Sequence, residues 1–140
     1  MIILKKSLFE TPFAEYLLVF STGGVLYYTI EILWRGYSHW TMALLSGICY
    51  IFIYLVGRNH PNIPILIYCI IGSLIITTGE LITGEIVNKW LGWGVWDYSN
   101  LPLNFDGQIC ALFSFFWCLL SYPIIYLAKF LRIDVFGYEK

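Results

Sequence analysis

The sequence predicts an all-α integral membrane protein: a four-transmembrane-helix bundle with a tryptophan-rich interfacial cap loop between the third and fourth helices. Three observations carry that expectation. Apolar residues make up 59% of the 140-residue chain, charged residues 12%, and mean hydropathy is +0.75; a soluble domain of this size needs more charge to cover its surface. Four hydrophobic runs, about 12–34, 40–57, 64–87 and 107–131, are long enough to cross a hydrocarbon core of roughly 30 Å at about 1.5 Å per residue. Short polar breaks part them, with one longer exception between the third and fourth. The length is one domain's worth, so residues 1–140 are expected to form a single membrane domain.

The elements follow in chain order. Met1 to Glu10 carries Lys5 and Lys6; it has the look of a signal-peptide start, but no small-residue cleavage site follows the next apolar run. Thr11-Pro12 reads as N-cap and first helical residue. The first span holds Ser21, Thr22, Gly23 and Gly24, small residues that let a neighbouring helix come close. Gly36 ends it and Ser38 can cap the second span; the link between them is short enough to demand an antiparallel hairpin. The second span stops at Gly57-Arg58-Asn59-His60-Pro61, and Pro64 opens the third. Asp106 or Asn104 is expected to cap the fourth, with Pro123 inside it removing a backbone hydrogen bond and kinking it.

The long polar break organises the rest. Gly92-Trp93-Gly94-Val95-Trp96-Asp97-Tyr98-Ser99-Asn100, continuing to Gly107-Gln108, sets aromatic rings, turn formers and two carboxylates between two greasy helices. A plain connector needs only a few polar residues, so the stretch reads as a cap over a polar pocket.

Charge sets the orientation. With four spans both termini share a side, where Lys5, Lys6, Arg58, Lys129, Arg132 and Lys140 gather, against Arg35 and Lys89 on the other. The positive-inside rule then makes both termini cytoplasmic in a multi-pass protein of the cell membrane. Trp34, Trp40, Trp90, Trp93 and Trp96 all fall on the opposite, outer side, whereas a plain aromatic belt decorates both interfaces.

The outer side also collects the residues with chemistry to offer. Glu80 lies about two helical turns, roughly 10 Å, below Asn88. A carboxylate at that depth costs a few kcal/mol unless paired, protonated or facing water. It is either a functional group or a neutral strut between helices, with Thr77 and Thr83 on its face. Glu31 and Arg35, spaced i, i+4, are either an ordinary helix-end ion pair or a pair strengthened by flanking Trp34 and Trp40, which lower the local dielectric. Glu85 and Lys89 at the same spacing read as an ordinary interfacial pair. Asp97 either closes an Asx turn near Ser99 or faces the pocket. His39 either starts a helix or joins the site. The candidate ligand-binding set is Glu31, Arg35, His39, Glu80, Trp96, Asp97, Tyr98 and Gln108; no catalytic residue stands out.

Absences narrow the field. Phosphate-loop, serine-hydrolase, zinc-protease, haem-attachment and dinucleotide-binding motifs are missing, and no arginine ladder suggests voltage sensing. No cofactor and no metal are expected. Cys49, Cys69, Cys110 and Cys118 sit in apolar runs without CxxC spacing and read as packing residues, with a Cys49–Cys118 bridge left open. A net charge of −1 recruits no nucleic acid. The expected partners are membrane lipids, with a homo-oligomer or membrane partner suggested by Gly23-Gly24, Gly72-Ser73 and Gly79.

With these residues assembled, the chain resembles the CmpB-like family of small membrane proteins, which carries an ABC-transporter type IV label. The resemblance rests on Gly24, Tyr27, Glu31 and Trp34-Arg35-Gly36-Tyr37-Ser38-His39-Trp40; on Glu80, Thr83-Gly84 and Asn88; and on Val95-Trp96-Asp97-Tyr98-Ser99 with Pro102, Asn104 and Gly107-Gln108-Ile109-Cys110. Vertebrate multi-span proteins similar to the family share the Glu-bearing helix followed by Trp-Asp-Tyr-Ser. It implies an integral membrane protein of transporter type and brings no catalytic residues with it. The tryptophan–tyrosine turn before a further helix also resembles lycopene cyclase-type membrane domains, but Gln108-Ile109-Cys110 stands where those carry Pro-x-Glu-Glu.

Three functions are therefore expected, in this order. The first is an outward-facing acidic and aromatic pocket that binds or helps translocate a small cation or lipid-like ligand. The second is a membrane-embedded lipid- or isoprenoid-modifying enzyme with buried carboxylates as acid and base. The third is an accessory subunit of a membrane complex.

Overall fold

The computed structural model describes residues 11–139. The segment with Lys5 and Lys6, and Lys140, lie outside the described residues. Helix accounts for 74% of the structure, and four helices are long and apolar enough to cross a membrane, at Pro12–Arg35, Trp40–Asn59, Ile65–Trp90 and Ala111–Val135. The all-α membrane class read from hydropathy is the class observed.

Local chemistry sets the boundaries. α1 (Pro12–Arg35) opens on Thr11, whose hydroxyl accepts from Ala14 N at 3.3 Å, with Pro12 at the first helical position. It closes on Gly36, whose left-handed backbone (φ 79°) returns its N–H to Ile32 O. α2 (Trp40–Asn59) is capped by His39 rather than by Ser38: His39 Nδ1 accepts from Thr41 N at 3.3 Å and lies 2.7 Å from the Thr41 hydroxyl. An imidazole nitrogen does here what a serine oxygen was expected to do. α3 (Ile65–Gly84) continues as a π-helical stretch, Glu85–Trp90, and α4 (Ala111–Phe130) continues as another, Leu131–Val135.

The fourth span starts later than its hydropathy suggests. Asn104 and Asp106 cap no helix; Asn104–Phe105 (β1) and Ile109–Cys110 (β2) pair antiparallel, Phe105 opposite Ile109. The reason lies in the turn. Asp106 (φ 56°) and Gly107 (φ 69°) take consecutive left-handed conformations, the backbone that closes a tight hairpin and that no helix start can use. α4 then passes through Pro123 as one continuous helix.

The chain groups into two compact units. One holds α1, α2 and the chain from Pro123 onward, with a core of Val19, Tyr50, Tyr54, Ala128 and Leu131. Its α1–α2 hairpin closes through small residues: a Cβ on Gly24 would sit 2.9 Å from Ala43 O. The other unit, Ile65–Tyr122, holds α3, the cap, the β-hairpin and the first half of α4. Cys49, Cys69, Cys110 and Cys118 are free thiols.

Candidate functional site

The second unit is built around Glu80, which is 2% exposed. α3 brings polar side chains to one face at helical spacing, Ser73, Thr77, Glu80 and Asn88, and neighbouring elements meet them one by one. Ser73 donates to Ser114 O at 2.6 Å, and the Thr77 and Ser114 hydroxyls lie 2.8 Å apart. One turn higher, Tyr98 OH donates to Glu80 Oε1 at 3.0 Å and Trp117 Nε1 donates to Glu80 Oε2 at 2.9 Å. The carboxylate is thus met on both oxygens by aromatic donors. The walls are aromatic too: Tyr98 stacks on Phe113 at 4.7 Å and 9°, and Phe113 leans on Trp117 at 6.0 Å.

The cap holds Tyr98 in place through a network of its own. Asn88 Oδ1 accepts from Val95 N at 2.6 Å, and Asn88 Nδ2 donates to Gln108 Oε1 at 2.9 Å. Gln108 is buried, donates through Nε2 to Asp106 O, and accepts the Trp96 indole N–H on its backbone oxygen at 2.9 Å. Gly84 makes room for this: a Cβ there would lie 2.5 Å from Gln108 Oε1 and 3.0 Å from Trp96 Cζ2. Tyr98 N donates to Gly107 O at 2.7 Å, joining the turn to the hairpin.

Of the sequence-singled residues, this unit brings Glu80 and Tyr98 into contact and Trp96 and Gln108 into contact. Asp97 has the contacts of an Asx turn: its Oδ1 accepts from Ser99 N at 2.8 Å while the residue stays exposed. That backbone bond, with help from the Ser99 hydroxyl, holds the Asp97 carboxyl below the usual carboxylate range. Lys89 departs from its expected partner. It pairs from the π-helical stretch with Asp106 in the hairpin turn and not with Glu85. The i→i+5 winding of Glu85–Trp90 widens the turn, so residues four apart no longer stack. The Lys89 ammonium, then Glu85, hold the Asp106 carboxyl low.

Glu31, Arg35 and His39 lie in the first unit. Glu31 is buried and ion-paired with Arg35, whose guanidinium sits 4.7 Å over the Tyr37 ring. Trp34 and Trp40, which flank the pair in sequence, are exposed. His39 is the helix cap described above.

One buried carboxylate escaped the sequence reading. Glu15, in the first turn of α1, is 6% exposed. Its Oε1 accepts from Tyr54 OH at 2.5 Å and from Arg58 Nη1 at 3.4 Å, and its Oε2 accepts from Tyr138 OH at 2.9 Å. Arg58 lies between the Tyr16 and Tyr138 rings, 5.9 and 5.4 Å from their centroids. The signal was present in Tyr54 and Arg58, spaced i, i+4 near the end of the second span, but a first-turn glutamate reads as an ordinary complement to the helix dipole.

Among the described residues no three His, Cys, Asp or Glu side chains converge as metal ligands. The arrangement in Ile65–Tyr122 can instead present a buried negative charge framed by π faces.

Four apolar helices long enough to span a bilayer, with carboxylates buried inside them, define a multi-pass membrane protein. The chain belongs to the CmpB-type family described as "Putative ABC-transporter type IV", whose family model matches residues 5–137. Searches of curated proteins and of solved structures gave no match.

Proposed function

We propose that this chain binds, and helps to carry across the membrane, a small cation or a lipid-like ligand with a cationic head group, and that Glu80 is the anionic acceptor. The observation behind the proposal is the Glu80 carboxylate itself: buried in an apolar span, with both oxygens accepting from Tyr98 and Trp117. A charge at that depth is costly and marks ion or substrate handling in membrane proteins. Aromatic rings around it suit a cationic guest, whose charge is attracted to their faces.

In this reading Tyr98 and Trp117 hold the carboxylate, Trp96 and Gln108 hold the cap over it, and Asp97 shapes the turn. Glu31, Arg35 and His39 form a secondary polar group. Membrane lipids surround the chain, and a homo-oligomer or membrane partner supplies any wider passage that four helices leave no room for. Both termini are cytoplasmic in the cell membrane, on the count of Arg58, Lys129 and Arg132 against Arg35 and Lys89; reporter fusions at each end test the orientation.

The binding reading is tested by thermal unfolding in detergent with a panel of amines, metal ions and phospholipids. A ligand that binds only the folded state at a hundred times its Kd stabilises it by about 2.7 kcal/mol. The wild type should shift with at least one class, and Glu80→Gln should lose that shift. A wild type that responds to no member of the panel overturns the proposal.

A further inference from the structure

The cap carries a second feature that the Glu80 site does not use. Leu103 is 82% exposed and Phe105 62% exposed, while Asn104 between them turns inward. The Asn104 amide nitrogen donates to Leu101 O at 2.8 Å, and its Oδ1 accepts from Gly107 N at 3.0 Å. Phe105, the second residue of the strand, and Leu103, in the turn before it, thus keep their apolar side chains on the open side. Leu103 also holds a left-handed backbone (φ 55°), which glycine adopts readily and leucine does not. A bulky apolar side chain kept at such a place, with no other described residue over it, points to a surface outside the chain.

The position of the tip identifies that surface. Leu103 O accepts from Ala111 N at 3.3 Å, and Ala111 is the first residue of α4, where the fourth span begins. Leu103 therefore sits at the base of the hairpin beside the span's end, and Phe105, two residues on in a strand pair about 7 Å long, stays within that distance of it. Asp106, in the hairpin turn and ion-paired with Lys89 of the π-helical stretch, marks the polar boundary of the same hairpin. We infer that Leu103 and Phe105 insert into the headgroup–acyl boundary of the bilayer next to α4, as an apolar wedge that fixes the cap to the lipid surface. The inference stands apart from what binds at Glu80.

The test places a nitroxide at Leu103→Cys and, separately, at Phe105→Cys in the full chain reconstituted in phosphatidylcholine vesicles. Asn100→Cys, at an exposed polar position of the same cap, is the aqueous reference, and the parent chain is the labelling background. Collision with oxygen and with a water-soluble nickel chelate is read at each site. The expected result is a several-fold higher oxygen-to-chelate ratio at 103 and 105 than at 100. Ratios equal to that at 100 put the tip in water and overturn the inference. Dipolar broadening between labels at low protein-to-lipid ratio shows a second copy covering the tip and overturns it as well. Both positions are exposed and tolerate substitution; should one variant fail to fold, the other carries the same comparison.

Discussion

Tyr98 donates its hydroxyl proton to Glu80 Oε1 at 3.0 Å across eighteen residues of sequence, tying the cap to the most deeply buried carboxylate of the third helix. The same ring stacks on Phe113, so the bond also fixes the cap against the start of α4.

If that bond and the Trp117 bond are what hold Glu80, removing either should weaken the fold. Tyr98→Phe and Trp117→Phe each keep a ring and lose a donor to a carboxylate, which should cost about 1.5–3 kcal/mol apiece. Both bonds serve one carboxylate, so the double variant should fall short of the sum, with a coupling of about 0.5–3 kcal/mol. Urea or thermal unfolding in detergent measures this, and strict additivity counts against a shared role.

Gly84→Ala tests the close packing of the third span against Gln108 and Trp96 of the cap. The added methyl would crowd Gln108 Oε1 and Trp96 Cζ2, and overpacking of this kind costs about 1–3 kcal/mol. Because Asn88, Gln108 and Trp96 are tied together, the expected sign is faster amide exchange across Val95–Gly107. Protection unchanged in the cap would mean that Gln108 swings aside without consequence.

Acid should loosen the cap before it loosens the helices. The Ser99 N–H holds Asp97 low, and Lys89 holds Asp106 low. A carboxyl whose folded pKa is depressed contributes stability that is complete above its unfolded value, about 3.9, and is lost as pH falls through the folded value. Cap-resolved NMR or tryptophan emission should therefore show the cap holding at pH 5 and releasing below about 4. Asp97→Asn keeps an oxygen for the Asx turn without a titrating group, so it should remove the Asp97 share of that acid response.

The Glu15 cluster predicts the opposite window. Burial, then the hydrogen bond to Glu15, pushes the Tyr138 hydroxyl above its ordinary value. A raised folded pKa means stability that is complete below the unfolded value, about 10, and is lost as pH rises through the folded one. Tyr138→Phe should remove the Tyr138 share of that alkaline loss and, as a donor to a carboxylate is lost, cost about 1.5–3 kcal/mol at neutral pH. Glu15→Gln should cost more, since Tyr54, Arg58 and Tyr138 all donate to it. Alkaline melts of the three proteins make the comparison.

Span number and membrane class were legible in the sequence because they depend on quantities that add along a chain, hydropathy and length, and the ends of α1 were legible from the caps Thr11-Pro12 and Gly36. The burial of Glu80 was legible too, since depth inside an apolar run follows from counting residues. What lay across from each side chain was not. Glu80 meets Tyr98 and Trp117, eighteen and thirty-seven residues away, and Glu15 meets Tyr138 from the far end of the chain. Lys89 left its i, i+4 neighbour because a π-helical turn changed the spacing, and Asp106-Gly107 made a hairpin where a helix start was expected. The sequence by itself determined that this chain spans a membrane and where a buried charge lies. Only the tertiary structure decided which groups satisfy that charge, because hydrogen bonds depend on distances between residues that sequence order leaves open.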